Sequence, residues 1–377
     1  MRYKLSPPQS ASEKLAWMRL IASENVGPRT FFQVMAHFGS ASKALAGIGD
    51  LALKGGKKNI RLAVADKVRA DASGALKQGI KILFYGEAAY PRLLTKISDP
   101  PPVLYTLGDV SLLNRPTMGI VGARNGSANG RQLAHKLARF LGEDAFVVVS
   151  GLARGIDASA HEGGLETGTI GVVAGGVDVV YPPENDNLYK DIGASGLIIS
   201  EQPMGVVPKA RHFPRRNRLV SGMCQGLVVV EASLKSGTLI TAQYALDQNR
   251  EVMAVPGSPL DPRAAGTNKL IKEGAHILTK FEDATAMLEK SHEPLSLFDK
   301  ADVSSGDFMK PVLSADIDKA RPLVHELLGF DPTSLNDIAR LSRQPLEAVL
   351  IVLLELELAG RLDRLSGDRV CLIDPMG

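Results

Sequence analysis

Between Thr117 and Val255 the sequence repeats one unit: a short apolar run, a turn of small residues, then a helical pattern. The runs are Thr117–Val121, Phe146–Val149, Thr169–Ala174, Leu197–Ser200, Leu227–Glu231 and Glu251–Val255. They are too short for core helices and are continuously apolar rather than alternating. Strands of that kind are covered by helices on both faces. Helical patterns at Gly130–Leu141, Ile156–Glu166, Arg215–Met223 and Leu239–Gln248 fill most of the intervals. The alternation predicts an α/β domain built on a mostly parallel, doubly wound sheet. Ligands of such sheets bind beyond the carboxyl ends of the strands, and polar residues collect there in this sequence.

The stretch from Phe213 to Thr241 concentrates the positive charge. Arg215, Arg216 and Arg218 flank Asn217 in what reads as a basic turn entering a short helix. After the strand Leu227–Val230 and Glu231 come Lys235, Ser236, Gly237 and Thr238, which open another helix. Ser236 or Thr238 suits the N-cap, and Gly237 allows close approach to the backbone. Exposed amides, the helix dipole and a lysine together form an anion site.

The other turns add to this array. Gly122, Arg124, Asn125 and Gly126 follow the first sheet strand and suggest a phosphate cradle. Their spacing is not the GxGxxG dinucleotide fingerprint, and no acidic residue ends the second strand to hold a ribose. Ser150, Gly151 and Arg154 follow the second strand; Asp157 then sits in a first helical turn, and His161 reads as a packed helix residue. Asp178 and Tyr181 either line the cleft or shape their turn. Asp157, Asp178, Glu201 and Glu231 are expected to pair with Arg124, Arg154, Arg215 or Arg216 rather than to bind metal. No catalytic, metal or cofactor motif stands out. Repeated cations beside amide-rich turns suit a chain of phosphates. Single-stranded nucleic acid bound mainly through its backbone is the natural ligand, with Phe213 the nearest stacking group.

The net charge of +3 over 377 residues is too small to carry that argument, so it rests on local clustering. Cys224 and Cys371 lie far apart and form no redox or metal motif. No signal core or apolar membrane span is present, so a cytoplasmic location is expected. Residues 1–10 read as a loose tail, 11–80 as a helical domain, 81–110 as an extended connector, 111–286 as the sheet domain and 287–317 as a linker. The turn Glu24–Arg29 is either an ordinary bundle turn or a hairpin whose amides meet phosphates. Residues 318–377 read as a winged helix with a hairpin around Ser366–Asp368. Its third helix, Pro345–Leu358, carries Glu347, Glu355 and Glu357 and no basic residue. Phosphate repulsion argues that this helix packs or binds protein, leaving Arg361, Arg364 and Arg369 for any DNA contact.

The motifs GIVGARNGSANG, SGLARGIDASAH, GGVDVVYPPEN, HFPRRNRLVSG, VVVEASLKSGTLIT and VMAVPG, in this order, resemble the DprA/Smf family of DNA-processing proteins. The resemblance implies a SAM-like helical domain, an extended Rossmann-like domain and a winged helix. It implies a non-enzymatic protein, without cofactor or membrane partner. Such a protein binds incoming single-stranded DNA in natural transformation, protects it, helps load the RecA recombinase, and forms a homodimer through the Rossmann-like domain. Carried over by motif, Arg124 and Lys235 would contact DNA, and the FPxRNR and SGxAxGID stretches would shape the pocket. The alternative is a nucleotide hydrolase of the lysine-decarboxylase-like phosphoribohydrolase kind; the sequence has SGT but lacks PGGxGTxxE.

Overall fold

The computed structural model describes residue 3 and residues 5–291, 314–365 and 368–373. Within these, the chain divides into two compact units: Met1–Pro7 with Ala70–Ser296, and Pro8–Arg69 with Leu297–Gly377. Helices α1 (Ala11–Ile21), α2 (Pro28–Phe38) and α3 (Ala41–Lys54) come first, and α4 (Ala65–Lys77) follows. Then come β1 (Lys81–Phe84), β2 (Val103–Gly108), β3 (Thr117–Val121), α5 (Ala128–Glu143), β4 (Val147–Ser150), α6 (Ile156–Gly164) and β5 (Thr169–Val172). Next are α7 (Asp186–Ser195), β6 (Leu197–Ser200), α8 (His212–Gly222), β7 (Gly226–Val229) and α9 (Gly237–Asp247). The sheet unit ends with β8 (Glu251–Ala254), α10 (Ala265–Lys272), β9 (His276–Ile277) and α11 (Glu282–Ser291).

These strands form a nine-stranded sheet in the order β1-β2-β6-β5-β4-β3-β7-β8-β9. From β6 to β9 every neighbouring pair is parallel. The chain winds outward from β3 to β6, then returns to the other side of β3 and continues through β7 to β9. Between the carboxyl ends of β3 and β7 the winding reverses, and a crevice opens there. Val121 pairs with Val229 at its base.

Apolar periodicity explains the cover. On α5, Ala134, Leu137, Ala138 and Leu141 fall on one stripe and pack with Met118, Ile120, Val148 and Val228 of the sheet. Ser127 caps that helix, its side chain accepting from Gly130 N at 2.9 Å.

Two expected boundaries move. Residues 81–110 are not a connector: β1 and β2 extend the sheet antiparallel, with Tyr105 opposite Ser200 on β6. Val103, Leu104 and Tyr105 are buried, and that burial outweighs the extended preference of the preceding prolines. Tyr3, within the expected loose tail, is anchored. The Tyr3 hydroxyl donates to the Ser98 carbonyl at 3.0 Å, and the Tyr85 hydroxyl donates to the Tyr3 carbonyl at 3.1 Å.

The second unit joins α1–α3 to a winged helix made of α12 (Ser314–Leu327), β10 (Thr333–Ser334), α13 (Leu335–Ser342), α14 (Leu346–Leu358), β11 (Leu362–Leu365) and β12 (Arg369–Leu372). Its strands run in the order β10-β12-β11. Most of the expected linker, and Ser366 and Gly367 of the hairpin, lie outside the described residues. α14 carries apolar residues on opposite sides because two of its faces are covered. Ala348, Val349, Val352, Leu353 and Leu356 join the winged-helix core. Ile351, Leu354 and Leu358 are buried outside that core, on the side where α14 meets α2 and α3. The acidic third helix therefore packs against the N-terminal helices, which is the packing role its sequence suggested. Glu355 is buried there and paired with Arg321 at 2.9 Å.

Candidate nucleic-acid interface

The turns after β3, β4 and β7 meet at the switch point, and a single carboxylate ties two of them together. Asp157, in the first turn of α6, accepts from Gly122 N at 3.2 Å through Oδ1. Its Oδ2 accepts from Gly151 N at 3.2 Å and from Ala153 N at 3.5 Å. Arg216 lies beside it: a Cβ on Gly151 would sit 2.9 Å from both Arg216 Cζ and Asp157 Oδ2. The Arg216 guanidinium donates to the carbonyls of Gly151 and Val172. Burial pushes the Asp157 carboxyl up, while Arg216 and the amides pull against it. Burial also lowers the Arg216 guanidinium to about 10, against the opposing pull of Asp157. The third turn is latched by Thr238, whose hydroxyl donates to the Gly122 carbonyl at 3.0 Å.

Backbone shape matches this knot. Gly155 has φ +76, and a Cβ there would lie 2.5 Å from the Ala123 and Arg124 carbonyl oxygens. Only glycine lets α6 start directly beneath the Arg124 turn. Leu152, a buried non-glycine residue, sits at φ 54, and Asn185 Nδ2 donates to its carbonyl at 3.1 Å. A strained residue fixed by its neighbours marks a loop with a defined shape.

Above the knot opens a cleft of about 820 Å³. Arg124 is exposed at its edge, with its guanidinium 5.5 Å from the centre of the Phe213 ring. The Tyr181 ring lies 5.5 Å from Phe213, tilted by 52°. A smaller cavity of about 260 Å³ shares Arg124, Phe213 and Tyr181 with the cleft. A cation and two aromatic faces therefore stand between two recesses, an arrangement suited to a planar ring attached to an anion.

The structure sorts the expected residues. Gly122, Arg124, Asn125, Gly151, Phe213, Arg216, Asn217, Ser236, Gly237 and Thr238 all line the larger cleft. Lys235 is exposed on the loop between the lining residues Ser233 and Ser236. Arg154 lines the smaller cavity and pairs with Glu184 at 3.1 Å.

Four expectations are corrected. Arg215, Arg216 and Arg218 do not form a basic turn, because α8 already begins at His212. Each helical step rotates about 100°, so neighbouring arginines diverge. Arg215 is exposed, Arg216 is sealed under the cleft, and Arg218 pairs with Glu201 and with Asp99 at 3.3 Å. Ser150 is also internal, its hydroxyl donating to the Ile120 carbonyl at 2.6 Å. Gly126 faces the Ile156 side chain, where a Cβ would lie 2.8 Å from Cδ1. The expected amide cradle is partly spent, since Gly122 N and Gly151 N serve Asp157. Arg124 and Lys235 remain exposed beside the start of α9, where Ser236 accepts from Thr238 N at 3.2 Å.

The cleft carboxylates pair less with arginine than expected. Glu231 accepts from Ser127 N at 2.9 Å and from its hydroxyl at 2.5 Å. Both Asp178 oxygens accept from Gly205 N at 2.9 Å. His161 is fully buried and pushed down to about 3, chiefly by desolvation, with its Nδ1 2.7 Å from the Thr169 hydroxyl. Sequence reasoning missed two contributors. Arg263 lines the cleft from the loop after β8, paired with Asp261 at 2.9 Å. Asp157 is expected from sequence to sit in a first helical turn and pair with an arginine, and its tie to two glycine turns is the part that reading lacks.

A cationic, aromatic cleft at the switch point of a doubly wound sheet, in a chain that also carries a hairpin-type helical domain and a winged helix, defines a DNA-processing class of protein. The model of the family described as DNA recombination-mediator protein A matches residues 81–289. The DprA-like N-terminal HHH domain matches 11–73, and the DprA winged helix domain matches 310–368. The chain belongs to the DprA/Smf family. The DNA processing protein DprA of Bacillus subtilis is 44% identical over 210 residues, which cover 55% of this chain and 71% of the relative. Protein Smf of Synechocystis is 36% identical over 306 residues, covering 74% of this chain and 77% of the relative. The crystal structure of DprA from Streptococcus pneumoniae aligns with a TM-score of 0.61 at 32% identity, covering 74% of this chain and 98% of that one. DNA processing protein A of Helicobacter pylori, described for its single-stranded DNA binding mode, aligns at TM-score 0.52 and 30% identity, covering 56% and 96%. Among the described residues no helix is long and apolar enough to cross a membrane.

Proposed function

We propose that this protein binds single-stranded DNA in the switch-point cleft, without catalysis, and hands the protected strand to the RecA recombinase in transformation or recombination. The observation that carries the reading is the Arg124–Phe213–Tyr181 cluster between two recesses. Arg124 and Lys235 meet backbone phosphates, and the rings stack bases. Duplex DNA hides its base faces, so it loses the stacking contribution. The DNA-binding assignment of Gly122, Asn125, Gly151, Asn217, Ser236, Gly237 and Thr238 is that of a wall shaped for close backbone approach. Arg154 contributes at the smaller recess. Arg216 acts beneath the wall as a positioning residue. Pairing of two copies through the sheet domain, as the family resemblance implies, would give two clefts on one strand.

The non-catalytic reading is supported by the use of two carboxylates at the strand ends in the scaffold. Glu231 holds the Ser127 turn and Asp157 holds the glycine turns. Phe213→Ala is expected to weaken oligo-dT binding by about 1–3 kcal/mol, the range for one stacked base. Duplex affinity should hardly change. Fluorescence anisotropy with both DNAs checks this, together with a nucleoside-monophosphate hydrolysis assay. Equal losses on strand and duplex, or turnover, would count against the proposal.

A further inference from the structure

α8 carries Phe213 into the cleft, yet little apolar surface holds that helix. It starts without a side-chain cap, and of its seven buried residues only Leu219 and Val220 are large and apolar. Its rotation is set by two guanidiniums instead. Two helical steps of about 100° each put Arg216 and Arg218 on opposite sides of the axis. Arg216 holds one side through the Gly151 and Val172 carbonyls. Arg218, only 4% exposed, holds the other. Its Nη1 donates to the Asp99 carbonyl at 2.6 Å, its Nε lies 3.3 Å from Asp99 Oδ2, and its Nη2 donates to Glu201. The end of α8 is fastened as well. Gln248, at the close of α9, donates Nε2 to the Arg218 carbonyl at 3.0 Å and accepts from the Ser221 hydroxyl at 2.7 Å.

A buried ion pair is a poor device for stability, because desolvating both charges offsets most of their attraction. Burial pushes the Glu201 carboxyl up while Arg218 pulls against it. What the pair supplies is direction: a guanidinium is a rigid planar fork, and it fixes an orientation that an apolar contact leaves loose. Neither Arg218 nor Glu201 lines the cleft or the smaller cavity. On the reading that a strand lies in the cleft, we propose that Arg218 is a positioning residue for strand binding. With Glu201 and Asp99 it fixes the rotation of α8, so that Phe213 presents its ring beside Tyr181 and Arg124.

The test replaces both partners at once in the full chain, as Arg218→Met/Glu201→Met. Exchanging a whole buried pair for apolar side chains is often neutral for stability, and Asp99 keeps access to water, so the variant should fold. Arg218→Lys, which keeps the charge but not the fork, gives a second variant with the same expected signs. Hydrogen exchange over residues 212–222 reports how firmly α8 is held, and anisotropy with labelled oligo-dT and a duplex reports binding. Exchange along α8 should quicken. Strand affinity should fall about tenfold, within the range for one stacked base, while duplex affinity hardly changes. The slope of log affinity against log salt should stay at its wild-type value, because Arg124 and Lys235 are untouched. Added to the double variant, Phe213→Ala should weaken binding by less than about twofold, since the ring has already lost its place. Full strand affinity in both variants, a loss shared equally by strand and duplex, or a Phe213→Ala effect as large as in the wild type would each overturn the proposal. Phe213→Ala without effect in the wild-type chain would instead remove the strand reading on which it stands.

Discussion

Arg124→Ala/Lys235→Ala is expected to weaken oligo-dT binding about 100-fold at low salt, with little change in stability. Both side chains are exposed, and their removal leaves no buried group unpaired. Hydrogen bonds from a charged donor to phosphate are worth about 1.5–3 kcal/mol each, and about 3 kcal/mol in total corresponds to that factor. Losing two phosphate contacts should also flatten the slope of log affinity against log salt by about 1.4. Equilibrium anisotropy over a salt series measures both. A 100-fold loss with an unchanged slope would mean that the two residues hold the cleft's shape rather than the phosphates.

The second large effect falls on stability. Asp157→Ala is expected to cost about 2–4 kcal/mol, because each buried amide left without its acceptor costs about 1–3 kcal/mol. Gly122 N and Gly151 N would lose their acceptor, and the buried Arg216 would lose a nearby opposite charge. Two turns that shape the cleft would come apart, so strand binding should fall as well. Urea unfolding of the variant checks the energy, and the same preparation checks binding below the transition. A loss under about 1 kcal/mol would show that Asp157 is not the tie that its contacts describe.

These two sites differ in how far the sequence revealed them. The alternation of apolar runs and small-residue turns predicts the parallel core, and the family motifs place Arg124, Phe213 and Lys235 at one edge of it. Those features are local. Asp157 reaches a glycine turn 35 residues earlier, and nothing in its own neighbourhood distinguishes that bond from a dipole contact. The three arginines after Phe213 look alike in sequence. Only the start of α8 at His212 decides that Arg218 turns toward Glu201 while Arg216 turns under Gly151. β2 was hidden because a proline run precedes it, although its apolar residues complete the sheet. The glutamates of α14 pointed to a packing role, and the helix does pack against α2 and α3. Its partner could not be read, because Thr30 and Asn25 meet it across most of the chain's length.

In the proposed complex the strand lies on Phe213 and Tyr181 at the switch point. Photo-crosslinking with an oligonucleotide carrying 5-iododeoxyuridine, followed by peptide mapping, tests it most directly. Adducts are expected at Tyr181 or Phe213 and should be lost on competition with unlabelled oligo-dT. Adducts confined to residues 8–69 or 314–373 would contradict it.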